Sequence, residues 1–135
     1  MAQASTSVLI VDDNDDNRDL YEQYLSFNGF RVLTGRNGQE GIEVARKHHP
    51  TVIFLDVRMP GMSGLEVVQT LRTDPTFVHT PIVALTAHAL RDEHLAFRAA
   101  GFDQVISKPC LPEDVVRAVE RWTGSAATQR SDAIR

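Results

Sequence analysis

A second cysteine is missing from this 135-residue chain, so Cys110 cannot close an intramolecular disulfide. That is consistent with a reducing compartment, and the cytoplasm is the expected location. A basic excess is missing too: 14 Lys and Arg stand against 18 Asp and Glu, a formal net charge of -4, with no local Lys/Arg cluster. Neutralisation of a phosphate backbone is therefore unsupported, and direct nucleic-acid binding is not expected. The N-terminal MAQASTS carries no basic segment, and the apolar run VLIV after it is too short for a signal-peptide core or a membrane span, so no membrane insertion is expected. Length for two domains is also lacking, since one domain of roughly this size already buries about two-thirds of its unfolded surface. His48, His49, His79, His88 and His94 lack metal-ligand spacing on a shared helix face, which leaves them surface roles, and Cys110 reads as a packing residue.

What is present is a strand–helix alternation repeated five times. Residues 7–11 form a short apolar run and 15–28 read as a helix whose Leu20, Tyr21, Tyr24 and Leu25 share a face before Asn28-Gly29 stops it. The segment FRVLT, 30–34, is extended; Asn37 and Glu40 then have capping-box spacing, and His48-His49-Pro50 ends that helix. TVIFLD, 51–56, is apolar on both faces, as a central parallel strand should be. Ser63 and Glu66 form a second capping box ahead of Leu65, Val68 and Leu71, and Thr73-Asp74-Pro75 breaks the pattern. PIVALT, 81–86, is the fourth strand; a helix over about 88–100 stops at Gly101, and QVIS, 104–107, is the fifth strand. The last helix starts near Pro112 and aligns Val115, Val119 and Trp122 in one stripe.

Right-handed crossovers put the helices on both faces of a parallel sheet, so the expected fold class is α/β, a flavodoxin-like (βα)5 doubly wound sheet. The second strand, short and polar, suits an edge, giving the order 2-1-3-4-5. The expected organisation is a disordered tail over 1–6, one domain over 7–123 and a polar tail over 124–135.

In such sheets ligands sit outside the carboxyl ends of the strands. The residues there are Asp12 and Asp13 after the first strand, Asp56 after the third, Thr86 after the fourth and Lys108 after the fifth. Each alone has an ordinary explanation: a solvated strand end for Asp12 and Asp13, a turn before Met59-Pro60-Gly61 for Asp56, β-branching for Thr86, a snorkelling surface lysine for Lys108. Together they converge on one crevice. Three carboxylates and one ammonium sum to about -2, and hard oxygen donors in small number suit Mg2+, which keeps several of its waters. Asp15 and Asp16 read separately, as acidic residues at the positive end of the first helix.

The acidic pair, then Asp-Val-Arg-Met-Pro-Gly at 56–61, Leu-Thr-Ala at 85–87 and Ser-Lys-Pro at 107–109 resemble the receiver domain of two-component response regulators, over residues 7–122. The resemblance implies that Asp56 is the phosphoacceptor, attacking a phosphoryl group carried on a partner's histidine to give an aspartyl phosphate. It further implies that Asp13, Asp56 and the backbone carbonyl of Arg58 bind Mg2+, with Mn2+ a possible substitute, that Asp12 acts more often through a water, and that Lys108 grips a phosphoryl oxygen. Thr86 would hydrogen-bond the phosphoryl group and shift the conformational population. The implied partners are a histidine kinase or histidine phosphotransfer protein and a downstream protein target. The expected state is a monomer, with a phosphorylation-dependent dimer left open, and the expected role a signalling module, not a metabolic enzyme.

One position departs from the family pattern: three residues before Lys108, where Tyr or Phe is usual, stands Val105. Signal output is then expected to rely on the loop from Thr86 to about Leu90 and the helix after it. Arg58 and His88 lie two residues beyond Asp56 and Thr86, bordering the route of water to the phosphoryl group, and are expected to obstruct it. A haloacid-dehalogenase-type phosphohydrolase would want an acid two residues after its nucleophile, where this chain has Arg58. A flavodoxin-like cofactor binder would need a phosphate cradle where Asp12 and Asp13 stand. A phosphorylation-independent binding module and a receiver segment of a larger hybrid kinase stay open as alternatives.

Overall fold

The computed structural model describes residues 6–87 and 91–124. Five strands, β1 (Ser7–Val11), β2 (Arg31–Gly35), β3 (Val52–Asp56), β4 (Ile82–Thr86) and β5 (Gln104–Ser107), alternate with five helices. The helices are α1 (Asp15–Phe27), α2 (Gly38–His48), α3 (Gly64–Arg72), α4 (Arg91–Ala100) and α5 (Pro112–Thr123). All strand pairs are parallel, in the order β2-β1-β3-β4-β5. The expected edge is therefore right, although β5, the other edge, is shorter than β2 at four residues against five.

The three central strands are buried along their whole length. Because side chains alternate across a strand, each strand feeds two cores. Leu9, Val11, Ile53, Leu55, Ile82 and Ala84 meet Ile42, Val67, Val68, Leu71 and Phe97 from α2, α3 and α4. Val8, Ile10, Phe54, Val83 and Leu85 meet Tyr21, Leu25, Val115 and Val119 from α1 and α5. Fully burying each such aliphatic side chain contributes about 1.5–3 kcal/mol. The two cores clamp the sheet and so fix where its strand ends lie.

The helix starts follow from side-chain caps. Asn14 accepts from the Asn17 N–H at 2.9 Å; Ser63 and Glu66 form the reciprocal box expected of them. At α2 only half of the box forms. Asn37 accepts from the Glu40 N–H at 2.8 Å, but the Glu40 carboxylate passes over the Asn37 amide to accept from the Arg36 N–H at 2.8 Å and from its guanidinium at 3.0 Å. A neighbouring guanidinium offers the carboxylate a charge-assisted bond, which outcompetes a neutral cap amide. The face of α1 also differs by one position: its buried residues are Arg18, Tyr21 and Leu25, while Leu20 is half exposed.

A short 3-10 turn, Pro75–Phe77, connects α3 to β4 and was not legible in the sequence. Arg72 ties this region together. Its Nε donates to the Gly101 carbonyl at 3.0 Å, Nη1 to the Phe77 and Thr80 carbonyls at 2.7 and 2.9 Å, and Nη2 to Asp103 at 2.8 Å. Asp103 in turn accepts from the Ile82 N–H at 2.8 Å. No helix among the described residues is long and apolar enough to cross a membrane. The tails expected over 1–6 and 124–135 fall, except for Thr6 and Gly124, outside the described residues, as do His88 and the start expected for the fourth helix.

Candidate functional site

The parallel register brings the carboxyl ends of β1, β3, β4 and β5 to one edge of the sheet. Asp12 follows β1 directly and is completely buried. Its N–H donates to the Gly35 carbonyl at 3.1 Å, extending the β1–β2 ladder by one rung. Its Oδ1 accepts from the Asn14 N–H at 2.9 Å, and its Oδ2 lies 3.3 Å from Lys108 Nζ. Asp13 is exposed beside it. Asp56 ends β3, 7% exposed, and accepts from the Arg58 N–H at 3.1 Å through Oδ1 and from Lys108 Nζ at 3.1 Å through Oδ2. Thr86, buried, ends β4 opposite Ser107, and its carbonyl accepts from the Lys108 N–H at 2.7 Å. That last bond continues the β4–β5 pairing one residue further, which is why Lys108 turns back over the site instead of into solvent.

One oxygen from each of Asp12, Asp13 and Asp56 lies within 4.8 Å of the other two. The structure thus gathers Asp12, Asp13, Asp56 and Lys108 into direct contact or near it, with Thr86 and the Arg58 backbone adjoining. Three hard oxygen donors with a single ammonium among them leave an excess of negative charge in a largely buried crevice. This donor set fits a hard divalent cation and offers nothing to a soft one.

The electrostatics follow from burial. Burial pushes the Asp56 carboxyl up to about 6, the nearby Asp12 charge adding to the rise while Lys108 and the Arg58 N–H oppose it. Burial alone would lower the Lys108 ammonium, but Asp12 and Asp56 outweigh it and hold its pKa above the usual lysine value. Lys108 is therefore a permanent cation in the site, whereas Asp56 sits with its ionisation poised.

Two contributors were not singled out in the sequence. Gly64 opens α3 with its N–H on the Val57 carbonyl at 2.9 Å. A Cβ there would lie 2.6 Å from the Asp56 carbonyl oxygen and 2.8 Å from Val57 Cα, so only glycine lets α3 begin this close to the acceptor's backbone. Arg18, only 9% exposed, donates from Nη1 to the Asp12 carbonyl at 2.8 Å and from Nη2 to the Asp15 carboxylate. Its spacing with Tyr21 and Leu25 was the available signal: an arginine in phase with a buried helix face. Asp15 thus has a partner in addition to its place in the first turn of α1, and Asp16 is exposed there.

Beside the acceptor, a cleft of about 580 Å³ lies between the segment after β3 and α4, lined by Val57, Met59, Leu65, Phe97 and Thr86. Arg58 is exposed at its margin. Cys110 packs half-buried with its Sγ 3.3 Å from the Tyr21 hydroxyl. His48, His49 and His79 are exposed, His49 stacking on Phe77 at 5.9 Å, and His94 is half-buried.

The model of the response regulator receiver domain matches residues 8–120. The chain belongs to the response regulator receiver domain family. Among its relatives is the polar-differentiation response regulator DivK of Brucella ovis, 34% identical over 120 residues that cover 89% of this chain and 98% of DivK. Among solved structures, the chemotaxis protein CheY4 of Vibrio cholerae superposes with a TM-score of 0.82 at 32% identity, covering 86% of this chain and 97% of CheY4. The receiver domain of the sensor histidine kinase PA1611 of Pseudomonas aeruginosa superposes with a TM-score of 0.81 at 30% identity, covering 90% of this chain and 100% of that domain. That structure holds a magnesium ion coordinated in the active site cleft. The receiver fold and family expected from the four strand-end motifs are thus established.

Proposed function

We propose that this receiver domain accepts a phosphoryl group on Asp56 from a histidine kinase or histidine phosphotransfer protein in the cytoplasm, and switches its binding to a downstream protein as a result. The observation that carries this reading is Lys108 Nζ lying 3.1 Å from Asp56 and 3.3 Å from Asp12, with the Asp13 carboxylate converging on the same point. Asp56 attacks phosphorus through a carboxylate oxygen; the bond from phosphorus to the donor nitrogen breaks and that nitrogen keeps the bonding pair. Phosphoryl transfer has a loose transition state whose charge spreads over the equatorial oxygens, so positioned cations do most of the catalysis. Lys108 supplies one fixed positive charge. The Thr86 hydroxyl hydrogen-bonds the product, rewarding one conformation of the chain that follows it.

Asp13, Asp56 and the Arg58 carbonyl would hold Mg2+, with Mn2+ as substitute, and Asp12 would act through a water. Supporting that division, Asp12 is the most deeply buried of the three carboxylates, which leaves Asp56 and the exposed Asp13 more open to a cation. When bound, the cation neutralises phosphoryl oxygens. The protein is a signalling module that assists its own phosphorylation and dephosphorylation.

Incubation with Mg2+ and acetyl phosphate, followed by intact mass measurement, tests this. Wild type should gain one phosphoryl group and Asp56→Asn none. No adduct on wild type with several donors would favour a phosphorylation-independent binding module. The likeness to the receiver domain of a sensor histidine kinase supports a second reading, a receiver segment of a hybrid kinase. Immunoblotting of the native protein distinguishes the two by size.

A further inference from the structure

A buried guanidinium persists only where its donors are satisfied. Arg18 uses two of them on the segment that carries the acidic pair: one on the Asp12 carbonyl, inside the protein, and one on the Asp15 carboxylate in the next turn. All of Asp12's acceptors are then engaged, the carbonyl by Arg18, Oδ1 by the Asn14 N–H and Oδ2 by Lys108. Asn14 is itself fixed as the cap of α1, accepting from the Asn17 N–H. Asp13 lies between these two anchored residues, so the backbone that aims its carboxylate has little freedom on either side.

We propose that Arg18 is a positioning residue for the cation site: it holds the Asp12 carbonyl so that Asp13 faces Asp56, with Asp15 offsetting its charge. This rests on the reading of Asp12, Asp13 and Asp56 as a divalent-cation site. It also makes a prediction of opposite sign to the obvious electrostatic one. As a bare charge, Arg18 repels a divalent cation, and its removal would tighten binding by roughly twofold or more at water-like screening. As a positioning group it acts like an outer-shell partner, whose loss weakens metal affinity by about tenfold or more.

The experiment is a Mg2+ titration of the metal-free protein, followed by amide NMR shifts at Asp13 and Asn14 and by calorimetry, for wild type, Arg18→Met, Arg18→Lys and Asp15→Asn. Arg18→Met should raise the Kd about tenfold. Arg18→Lys, which keeps the charge but offers a single point of attachment in place of the planar fork, should fall between wild type and Arg18→Met. Asp15→Asn keeps the Asp12 bond and unmasks one charge, so it should raise Kd only about twofold. A Kd for Arg18→Met equal to or below that of wild type overturns the proposal. If that variant does not fold, Arg18→Lys decides, and a wild-type Kd there overturns it equally. Failure of the wild type itself to respond to Mg2+ would instead remove the cation-site reading on which the proposal stands.

Discussion

Asp56 should destabilise the metal-free protein, and Asp56→Asn should relieve it. Burial moves this carboxyl from the ordinary 3.8 to about 6 in the fold. The difference of about 2 pKa units corresponds to about 3 kcal/mol at 1.4 kcal/mol per unit. The sign follows from proton binding: between about pH 4 and 6 the folded state keeps a proton that the unfolded chain releases, so stability falls as pH rises through that window and is level above it. Asparagine resembles the neutral carboxyl, and the attraction of the ionised form to Lys108 is already contained in the value of about 6. The net expectation at pH 7.5 without divalent cations is 1–3 kcal/mol of stabilisation, roughly 4 °C in Tm per kcal/mol. Urea unfolding of both proteins at pH 7.5 and 4.5 tests it. At pH 4.5 the gap should shrink to about a third, because that pH lies less than one unit above the unfolded pKa and only the first part of the penalty built up between 3.8 and about 6 has accumulated. Saturating Mg2+ should also narrow the gap, since it binds the native wild-type carboxylates and stabilises by mass action. Destabilisation by Asp56→Asn at pH 7.5, or a gap undiminished at pH 4.5, would refute the reasoning.

Asp13→Asn should weaken Mg2+ binding by far more than Asp16→Asn, read by the same titration; equal losses would mean that the acidic segment is wrongly divided between site and helix start. Arg58→Ala and His88→Ala should shorten the phosphoryl lifetime if these side chains obstruct water, measured as the decay of phosphorylated protein after donor removal; unchanged decay in both refutes the obstruction. Arg72→Met should cost about 2–4 kcal/mol in urea unfolding, because three carbonyls and Asp103 lose a part-buried charged donor at once. A cost below about 1 kcal/mol would show that the neighbouring loops re-pair on their own.

The sheet was legible because its signals were redundant. Val52–Leu55 and Ile82–Leu85 are apolar on both faces, and the structure buries both faces. Capping chemistry located the starts of α2 and α3 to within a residue. The misses are cases in which a specific side-chain partner, near or far along the chain, decided what the pattern rule left open. Glu40 left its cap for a guanidinium one residue further back. Leu20 was assigned inward with Tyr21 on helical spacing, yet the arc that faces the core is centred on Arg18, Tyr21 and Leu25. Spacing defines an arc but not its centre when a long polar side chain lies inside it. The bonds of Arg72 reach residues 5 to 31 positions away, and no pattern along the chain announces them.

The candidate site was legible for the opposite reason, that it breaks local rules. A sequence built only for stability would not end three buried strands with Asp12, Asp56 and Thr86, nor set two carboxylates against one another in a crevice where burial raises the cost of their charge. The raised pKa of Asp56 is the measure of that conflict. Lys108 relieves part of it, and the excess charge that remains is what a divalent cation would satisfy. Gly64 and Arg18 belong to the same conflict from the backbone side: one lets α3 approach the acceptor's peptide, the other anchors the carbonyl ahead of Asp13. Their marks in the sequence are slight, a glycine as the first residue of a helix and an arginine in phase with Tyr21 and Leu25. Residues that carry a site's charge can therefore be read from pattern, whereas residues that aim it emerge only once the chain is folded.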